Sequence, residues 1–312
     1  TYTIIILMNL SNTKDQTLRV GTRSSQLATA QVDEFISILS KHSPEVKISM
    51  IPIKTEGDIK KDIPLSEMNR GMFVREIEQA LISKRIDVAV HSAKDIPPNS
   101  HPELRISAML KRADPRDTIV NKWKLPLTAI PDGAIIGTSS PRRSAFISVN
   151  RPQLVVKSIR GNVDTRVKKI GKGYDGIIIA AAGLERLRMI EIVDQFLDIE
   201  TFIPDAGQGA IAIQTRMEDE YTSKIVSKVN HFATFVCVTA ERSFMRALGG
   251  NCNSPHASYA EINKNLIKIT GLVSSYDGKK QCKETIYGNI NTPEQTGSDL
   301  ADKLIGIGAL NI

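Results

Sequence analysis

Little in this 312-residue chain suits a disulfide framework, a zinc cluster or a membrane span. Its three cysteines, Cys237, Cys252 and Cys282, are odd in number and lack any C-x-x-C spacing. That pattern argues against the first two, so no metal site is expected, and it fits a reducing compartment such as the cytoplasm. The longest apolar run, IIILM at 4–8, is far short of the ~20 residues a bilayer span needs. It has no basic leader and no small-residue cleavage pattern, so a secretion signal is not expected either. An edge strand, an unstructured extension and a misplaced start all remain compatible with it. Aromatic residues make up 5% of the chain, with one tryptophan, and the basic residues have little aromatic interleaving, so stacking platforms for nucleic acid are not evident.

What is present reads as a globular protein long enough for two or three domains, with 41% hydrophobic and 24% charged residues. A formal net charge of +7 suggests anionic partners, although an excess of surface lysine would give the same number, so placement decides. LRVGTRSSQLATAQVDEFISIL, from Leu18, reads as strand, polar turn and helix, with Ala28, Val32, Phe35, Ile36 and Leu39 at helical spacing. A helix at about 72–84, with Phe73, Ile77, Ala80 and Leu81 on one face, leads into the strand DVAV and its polar end HSAKD. Strand and helix alternate, which predicts mainly parallel sheets covered by helices.

The pattern restarts at AIIGTSSPRRSAFI, and VGTRSSQLA and IGTSSPRRSA look like two versions of one unit. The expected division is a first α/β domain over 1–110, completed by about 210–229, and a second over 115–205. KRADPRDT and IPDAGQGA are the expected crossings, with AIAIQT returning a strand to the first domain. A third, α+β domain over 230–312 is expected to hold a helix at about 232–248, a three-stranded antiparallel meander and a closing helix near 294–305.

Several arginines sit where a helix should not want them. In GTSSPRRSAF, Ser140 suits a helix cap and Pro141 its first turn, which places Arg142 and Arg143 against the positive end of the helix dipole, at about 0.3–1 kcal/mol each when exposed. An anionic ligand over that helix start, held by backbone N–H groups, hydroxyls and guanidinium forks, makes sense of the placement. SIRGNVDTRVKK repeats the idea with Arg160, Asn162 as cap and Arg166, and GTRSSQ repeats it with Arg23, Ser24 and Ser25. Ligands bind beyond the carboxyl ends of strands in open parallel sheets, so the three clusters should face one crevice. His91, Ser92, Lys94 and Asp95 belong to the same rim. Lys94 can bind a further carboxylate, and Asp95 is the acid placed to stabilise a cation or to move protons.

GTRSSQLA, KTEGD, FVREIEQAL, DVAVHSAKDIP, DPRD, GTSSPRRSA, IRGNVDTR, DGIIIAAAGLERL, GQGAIAI, TAERSFMRALGGNC and SYAEI together resemble the hydroxymethylbilane synthase (porphobilinogen deaminase) family, in order, from about residue 18 to at least 260. The resemblance implies two periplasmic-binding-protein-like (type II) α/β domains flanking a cleft, plus a small C-terminal α+β domain. It implies a monomeric transferase that deaminates four porphobilinogen molecules and joins them head to tail on a covalent dipyrromethane primer, then releases linear hydroxymethylbilane by hydrolysis.

By the same resemblance Cys252 carries the thioether to the cofactor, and Asp95 is catalytic. Lys94, Asp95, Thr138, Ser139, Ser140, Arg142, Arg143, Arg160 and Gly161 contact the cofactor, while Arg23, Ser25, Arg166 and Gln208 bind substrate. Cys237 is expected to pack in the core on a helix face that excludes Glu241, and Cys282 to lie in a strand. The chain departs from the family pattern in the loop LSEMNRGMF, one residue short with Arg70 in place of lysine, at Asn251, and over residues 1–16. A non-catalytic protein binding anionic solutes on the same fold is the alternative, but it assigns no task to Asp95 or Cys252.

Overall fold

The computed structural model describes residues 17–55, 74–99, 101–249 and 254–312. The expectations for residues 1–16, for Arg70 and its loop, and for Phe73, Asn251 and Cys252 lie outside the described residues. Chain order begins with β1 (Leu18–Arg23), α1 (Gln26–His42), β2 (Ile48–Ile53), α2 (Arg75–Ile82), β3 (Val88–Ser92) and β4 (Leu104–Met109). After a first crossing come β5 (Asp117–Asn121), β6 (Ile135–Gly137), α3 (Pro141–Asn150), β7 (Val155–Lys157), α4 (Val163–Val167), β8 (Gly176–Ala180), α5 (Ala181–Arg186) and β9 (Gln195–Phe196). A second crossing returns to β10 (Ile211–Arg216) and α6 (Glu220–Ser227). The chain ends with α7 (Phe232–Ala247), β11 (Ala257–Asn263), β12 (Leu266–Ser274), β13 (Gln281–Asn289) and α8 (Pro293–Gly306).

The first two sheets share one topology. Their orders are β2-β1-β3-β10-β4 and β7-β6-β8-β5-β9, and in each the first three strands run parallel. The fourth position is antiparallel to both neighbours, and in each sheet it is filled by the strand that has just crossed over, β10 or β5. The sheets are therefore mixed rather than mainly parallel, because a strand arriving from the opposite sheet enters from the far end. β8 and β10 are buried along their whole length, as central strands covered on both faces should be.

Helix α1 buries Ala28, Val32, Phe35 and Leu39 as its spacing predicts, with Ile36 half-buried at the margin. Phe35 and Leu39 lose all contact with water, which contributes about 1.5–3 kcal/mol each. The third sheet is the expected meander β11-β12-β13, packed against α7 and α8 around Phe244, Ile267, Ile269 and Leu300. Cys237 lies in that core, where burial first and then Glu241 push its thiol up to about 12, leaving it unreactive at neutral pH. Cys282 lies in β13.

Glu241 contradicts the sequence expectation. It is completely buried, because α7 packs on the third sheet with one face and on the two crossings with the other. Its carboxylate accepts from Arg112 Nη1 at 2.6 Å and Nη2 at 3.2 Å in the first crossing, from Gly207 N at 2.7 Å in the second, and from Ala260 N at 2.8 Å in β11. One side chain thus ties both crossings to the third sheet. Arg242, beside it, donates to the carbonyls of Ile96 and Pro97 at 2.8 and 2.7 Å. Gly209 completes the junction with a φ of +88°, and a Cβ there would stand 2.6 Å from the Ala113 carbonyl oxygen.

Removing one partner of a buried, hydrogen-bonded ion pair strands the other charge. Glu241→Ala is expected to destabilise the protein by about 3–5 kcal/mol, read as a lowered midpoint in denaturant unfolding.

Candidate active site

Each wall of the candidate site begins where a strand stops and a helix starts. β1 ends at Arg23, and Ser25 caps α1 by accepting from Ala28 N at 3.2 Å. β6 ends at Gly137, and Ser140 caps α3 by accepting from Arg143 N at 3.5 Å, with Pro141 in the first turn as expected. Asn162 stands at the start of α4 but makes no side-chain cap. That short helix is held instead by Arg166, whose N–H donates to the Asn162 carbonyl at 2.9 Å and whose Nε donates to the Gly161 carbonyl at 2.7 Å. β3 runs out into a single 3-10 turn, Ala93–Asp95, which turns Lys94 and Asp95 onto the rim.

All of these turns meet at one cavity of about 710 Å³. Arg23, Ser25, Lys94 and Asp95 line it from the first sheet, and Ser139, Ser140, Arg142 and Arg143 from the second. Arg160, Gly161 and Arg166 complete the second wall. Thr138 does not line the cavity. It is buried under the start of α3, where its Oγ1 accepts from Ser140 N at 3.2 Å. Gln208 is also fully buried, in the second crossing.

Lys169, Arg186 and Asp205 line the cavity without having been expected there. Lys169 follows Arg166 by three residues, a spacing that signals a shared helical face, and it donates to the Arg160 carbonyl at 2.9 Å. Arg186 is fixed by Glu34 Oε2 at 2.9 Å and the Gly209 carbonyl at 3.0 Å, contacts between distant segments that no local pattern signals.

Arg142 and Arg143 are buried, and one carboxylate holds both. Asp117, at the start of β5, accepts from Arg142 Nη2 at 2.7 Å and from Arg143 Nη2 and Nε at 2.6 and 3.0 Å. The carbonyls of Ile203 and Ile178 take one further N–H from each guanidinium, at 2.9 and 3.1 Å. The two guanidinium groups are therefore positioned by the protein itself, which the sequence reading, looking only for a ligand, did not foresee. Burial opposes the ionisation of Asp117, but Arg142 and Arg143 overcome it and hold the carboxyl down to about 2. Gln208 extends the cluster: Nε2 donates to Asp117 Oδ1 at 3.0 Å and to the Pro115 carbonyl at 2.8 Å, and Oε1 accepts from Lys94 Nζ at 3.2 Å. A chain of contacts thus runs from the Asp95 turn through the second crossing to the arginine pair.

The charge balance of the cavity favours anions. Arg166 lies open to the cleft yet enclosed by protein, and its guanidinium is pushed down to about 10, first by desolvation and then by Arg143, with Arg160 and Arg23 adding to it. Arg142 Nε is a buried N–H without a partner. A dipyrromethane bearing acetate and propionate on each ring offers carboxylates to these donors, so the residues present fit that group. Among the described residues no cluster of His, Cys, Asp and Glu could hold a metal ion.

A family model described as porphobilinogen deaminase, dipyromethane cofactor binding domain, matches residues 18–224, and a porphobilinogen deaminase C-terminal domain matches 235–306. The chain belongs to the porphobilinogen deaminase family. A porphobilinogen deaminase of Brevibacillus brevis is 42% identical over 294 residues, covering 93% of this chain and 94% of that protein. One from Deinococcus radiodurans is 39% identical over 303 residues, covering 95% and 98%. Among solved structures, a methionine binding protein aligns over 69% of this chain and 90% of that one, with a TM-score of 0.44 and 10% identity. Membership makes this chain an enzyme, a hydroxymethylbilane synthase of tetrapyrrole biosynthesis, with dipyrromethane as its cofactor.

The lowered pKa of Asp117 sets a pH window. Above about pH 4 the carboxylate is ionised folded or unfolded and its stabilisation is complete. As pH falls from the ordinary 3.8 towards about 2, the unfolded chain takes the proton first and about 2 kcal/mol is lost. Asp117→Asn should flatten the dependence of the unfolding midpoint on pH across that interval.

Proposed function

We propose that the cavity binds porphobilinogen and the chain growing from it by their carboxylates, and that Asp95 is the catalytic residue. The observation that carries this reading is a single pocket in which cations from two sheets surround the Asp95 carboxylate. Arg23 and Lys94 on one wall, and Arg142, Arg143, Arg160 and Arg166 on the other, hold acetate and propionate groups through charge-assisted hydrogen bonds. Arg142 and Arg143 do so as fixed forks, because Asp117 and two backbone carbonyls have already set their orientation. Ser25, Ser139, Ser140 and Gly161 supply shorter-range donors at the helix starts. Thr138 and Gln208 act from below, by shaping the turn before α3 and by linking Lys94 to Asp117.

Asp95 accepts a hydrogen bond from a substrate pyrrole N–H and stabilises the positive charge that develops when the aminomethyl C–N bond breaks and ammonia departs. When bound, dipyrromethane supplies the nucleophilic pyrrole carbon on which the chain is extended. The anchoring sulfur is that of Cys252, which falls between α7 and β11 in the sequence. The same reading takes the chain as a cytoplasmic monomer, and the gathering of cations inside one cavity supports the absence of a nucleic-acid partner. No helix among the described residues is long and apolar enough to cross a membrane.

Asp95→Ala should leave fold and cofactor loading intact while turnover of porphobilinogen falls by roughly 100-fold or more. Turnover near wild type would remove Asp95 from this role. Intact-mass spectrometry of Cys252→Ser should show the bare polypeptide mass, whereas wild type carries the dipyrromethane increment and gains further pyrrole increments with porphobilinogen. A full adduct on the serine variant would place the anchor elsewhere.

A further inference from the structure

Helices α1 and α5 belong to different walls of the cavity. α1 buries Val32, Phe35 and Leu39 with Val20 and Val88 of the first sheet, while α5 buries Leu184 with Ile177 and Ile179 of the second. The two helices touch at Gly183, where a Cβ would stand in ordinary contact, 3.8 Å from Leu27 Cδ2 of α1. Leu27, Gly183 and Arg186 all line the cavity, so this contact is part of its boundary.

An ion pair spans the same contact. Arg186, the last residue of α5, donates from Nε to Glu34 Oε2 of α1 at 2.9 Å and from Nη2 to the Gly209 carbonyl at 3.0 Å. That carbonyl also accepts from Ala113 N at 3.2 Å, so the guanidinium is tied both to the first wall and to the place where the two crossings meet. Its Nη1 donates to no described residue, which leaves the guanidinium capacity for a further carboxylate. The Arg186 side chain is 8% exposed and that of Glu34 34%. A pair with one member this open to water orients its partner, yet a second carboxylate can displace it.

Growth of the bound chain acts on this pair in two ways. A chain that lengthens pyrrole by pyrrole needs more room than its primer, and room is gained by separating the walls or by moving the chain past them. Each addition also brings an acetate and a propionate. Exchanging Glu34 for one of these at Arg186 breaks and makes the same kind of bond, so local concentration decides the outcome, and it is high for a chain tethered inside the cavity. After the exchange Arg186 keeps its bond to the Gly209 carbonyl, while α1 loses its ionic tie to α5.

We propose that Glu34 is a positioning residue for elongation: it clasps α1 to α5 through Arg186, and the clasp yields to carboxylates of the lengthening chain. The inference rests on the reading of the cavity as the site that holds that chain by its carboxylates. The clasp keeps the walls together around a short chain and resists the later additions. Glu34 thereby sets the chain length at which covalent complexes accumulate.

The test gives limiting porphobilinogen to full-length, cofactor-loaded wild type, Glu34→Gln, Asp33→Asn and Arg166→Gln. Intact mass reads the ladder of covalent complexes, alongside KM and thermal unfolding. Glu34→Gln keeps the size of the side chain and removes its charge. The ratio of complexes with three or four added pyrroles to those with one or two is expected to rise by roughly two- to fivefold, the range of a partly exposed ion pair. Cofactor loading and unfolding temperature should stay near wild type. Asp33→Asn removes a carboxylate from the exposed neighbouring position of α1 and should leave the ladder unchanged. An equal shift in that variant assigns the effect to net charge and overturns the proposal. An unmoved ladder in Glu34→Gln overturns it too, as does a shift towards shorter complexes, which makes Glu34 an aid to chain binding and not a clasp. A Glu34→Gln protein that fails to fold or to load cofactor makes the pair structural and also overturns it. Arg166→Gln separates the two readings and should raise KM by roughly tenfold or more. A wild-type KM there removes the carboxylate reading and the clasp with it, whereas a raised KM with an unmoved Glu34→Gln ladder removes the clasp alone.

Discussion

The site depends on burying two adjacent guanidinium groups, and that is possible only because Asp117 is buried with them. Arg142 and Arg143 repel each other and stand at the positive end of a helix, so neither would remain in a dry interior alone. The Asp117 carboxylate binds both within 2.7 Å through their Nη2 atoms. It comes from β5, at the far side of the first crossing. The arginine pair is thus set by long-range contact and not by its own helix. Fixed donors have no reorganisation to undergo when a carboxylate arrives, which is the condition for holding an anionic chain in register.

The crossings carry that constraint outward. Gln208 joins Asp117 to Lys94, and Arg112 donates its Nε to the Gln208 carbonyl at 2.8 Å while its other nitrogens engage Glu241. The third sheet therefore attaches to the two α/β sheets through their crossings, close to the Asp95 turn, which α7 also reaches through Arg242. Changes in the angle between the first two sheets must pass through this junction. Its hydrogen bonds are buried and mutually satisfied, which favours a small number of discrete arrangements over continuous flexing.

Much of this was legible in the chain itself. Helix spacing located α1 and α7, the Ser-Pro pair located the start of α3, and the doubled strand-turn-helix unit anticipated two sheets of one topology. The arginine clusters were also placed correctly at strand ends facing one cavity. Where the reading went astray, charge was the cause. The sequence pattern excludes Glu241 from the packed face of its helix and gives Arg142 and Arg143 to a ligand alone. In both cases a distant opposite charge, Arg112 or Asp117, determines where the side chain goes. The resemblance makes Thr138 a cofactor contact, whereas the turn buries its side chain under the start of α3.

Sequence alone determined many of the elements, the family and many of the charged groups at the cavity rim, because periodicity, caps and turn residues act over a few positions. Tertiary structure decided which sheet each crossing strand joins, which acid neutralises which arginine, and how Gln208 comes to link Lys94 to Asp117. Those outcomes depend on pairing between segments tens to more than a hundred residues apart. The energy of such a pair is set by burial and dielectric at the meeting point, quantities that no local stretch of chain contains.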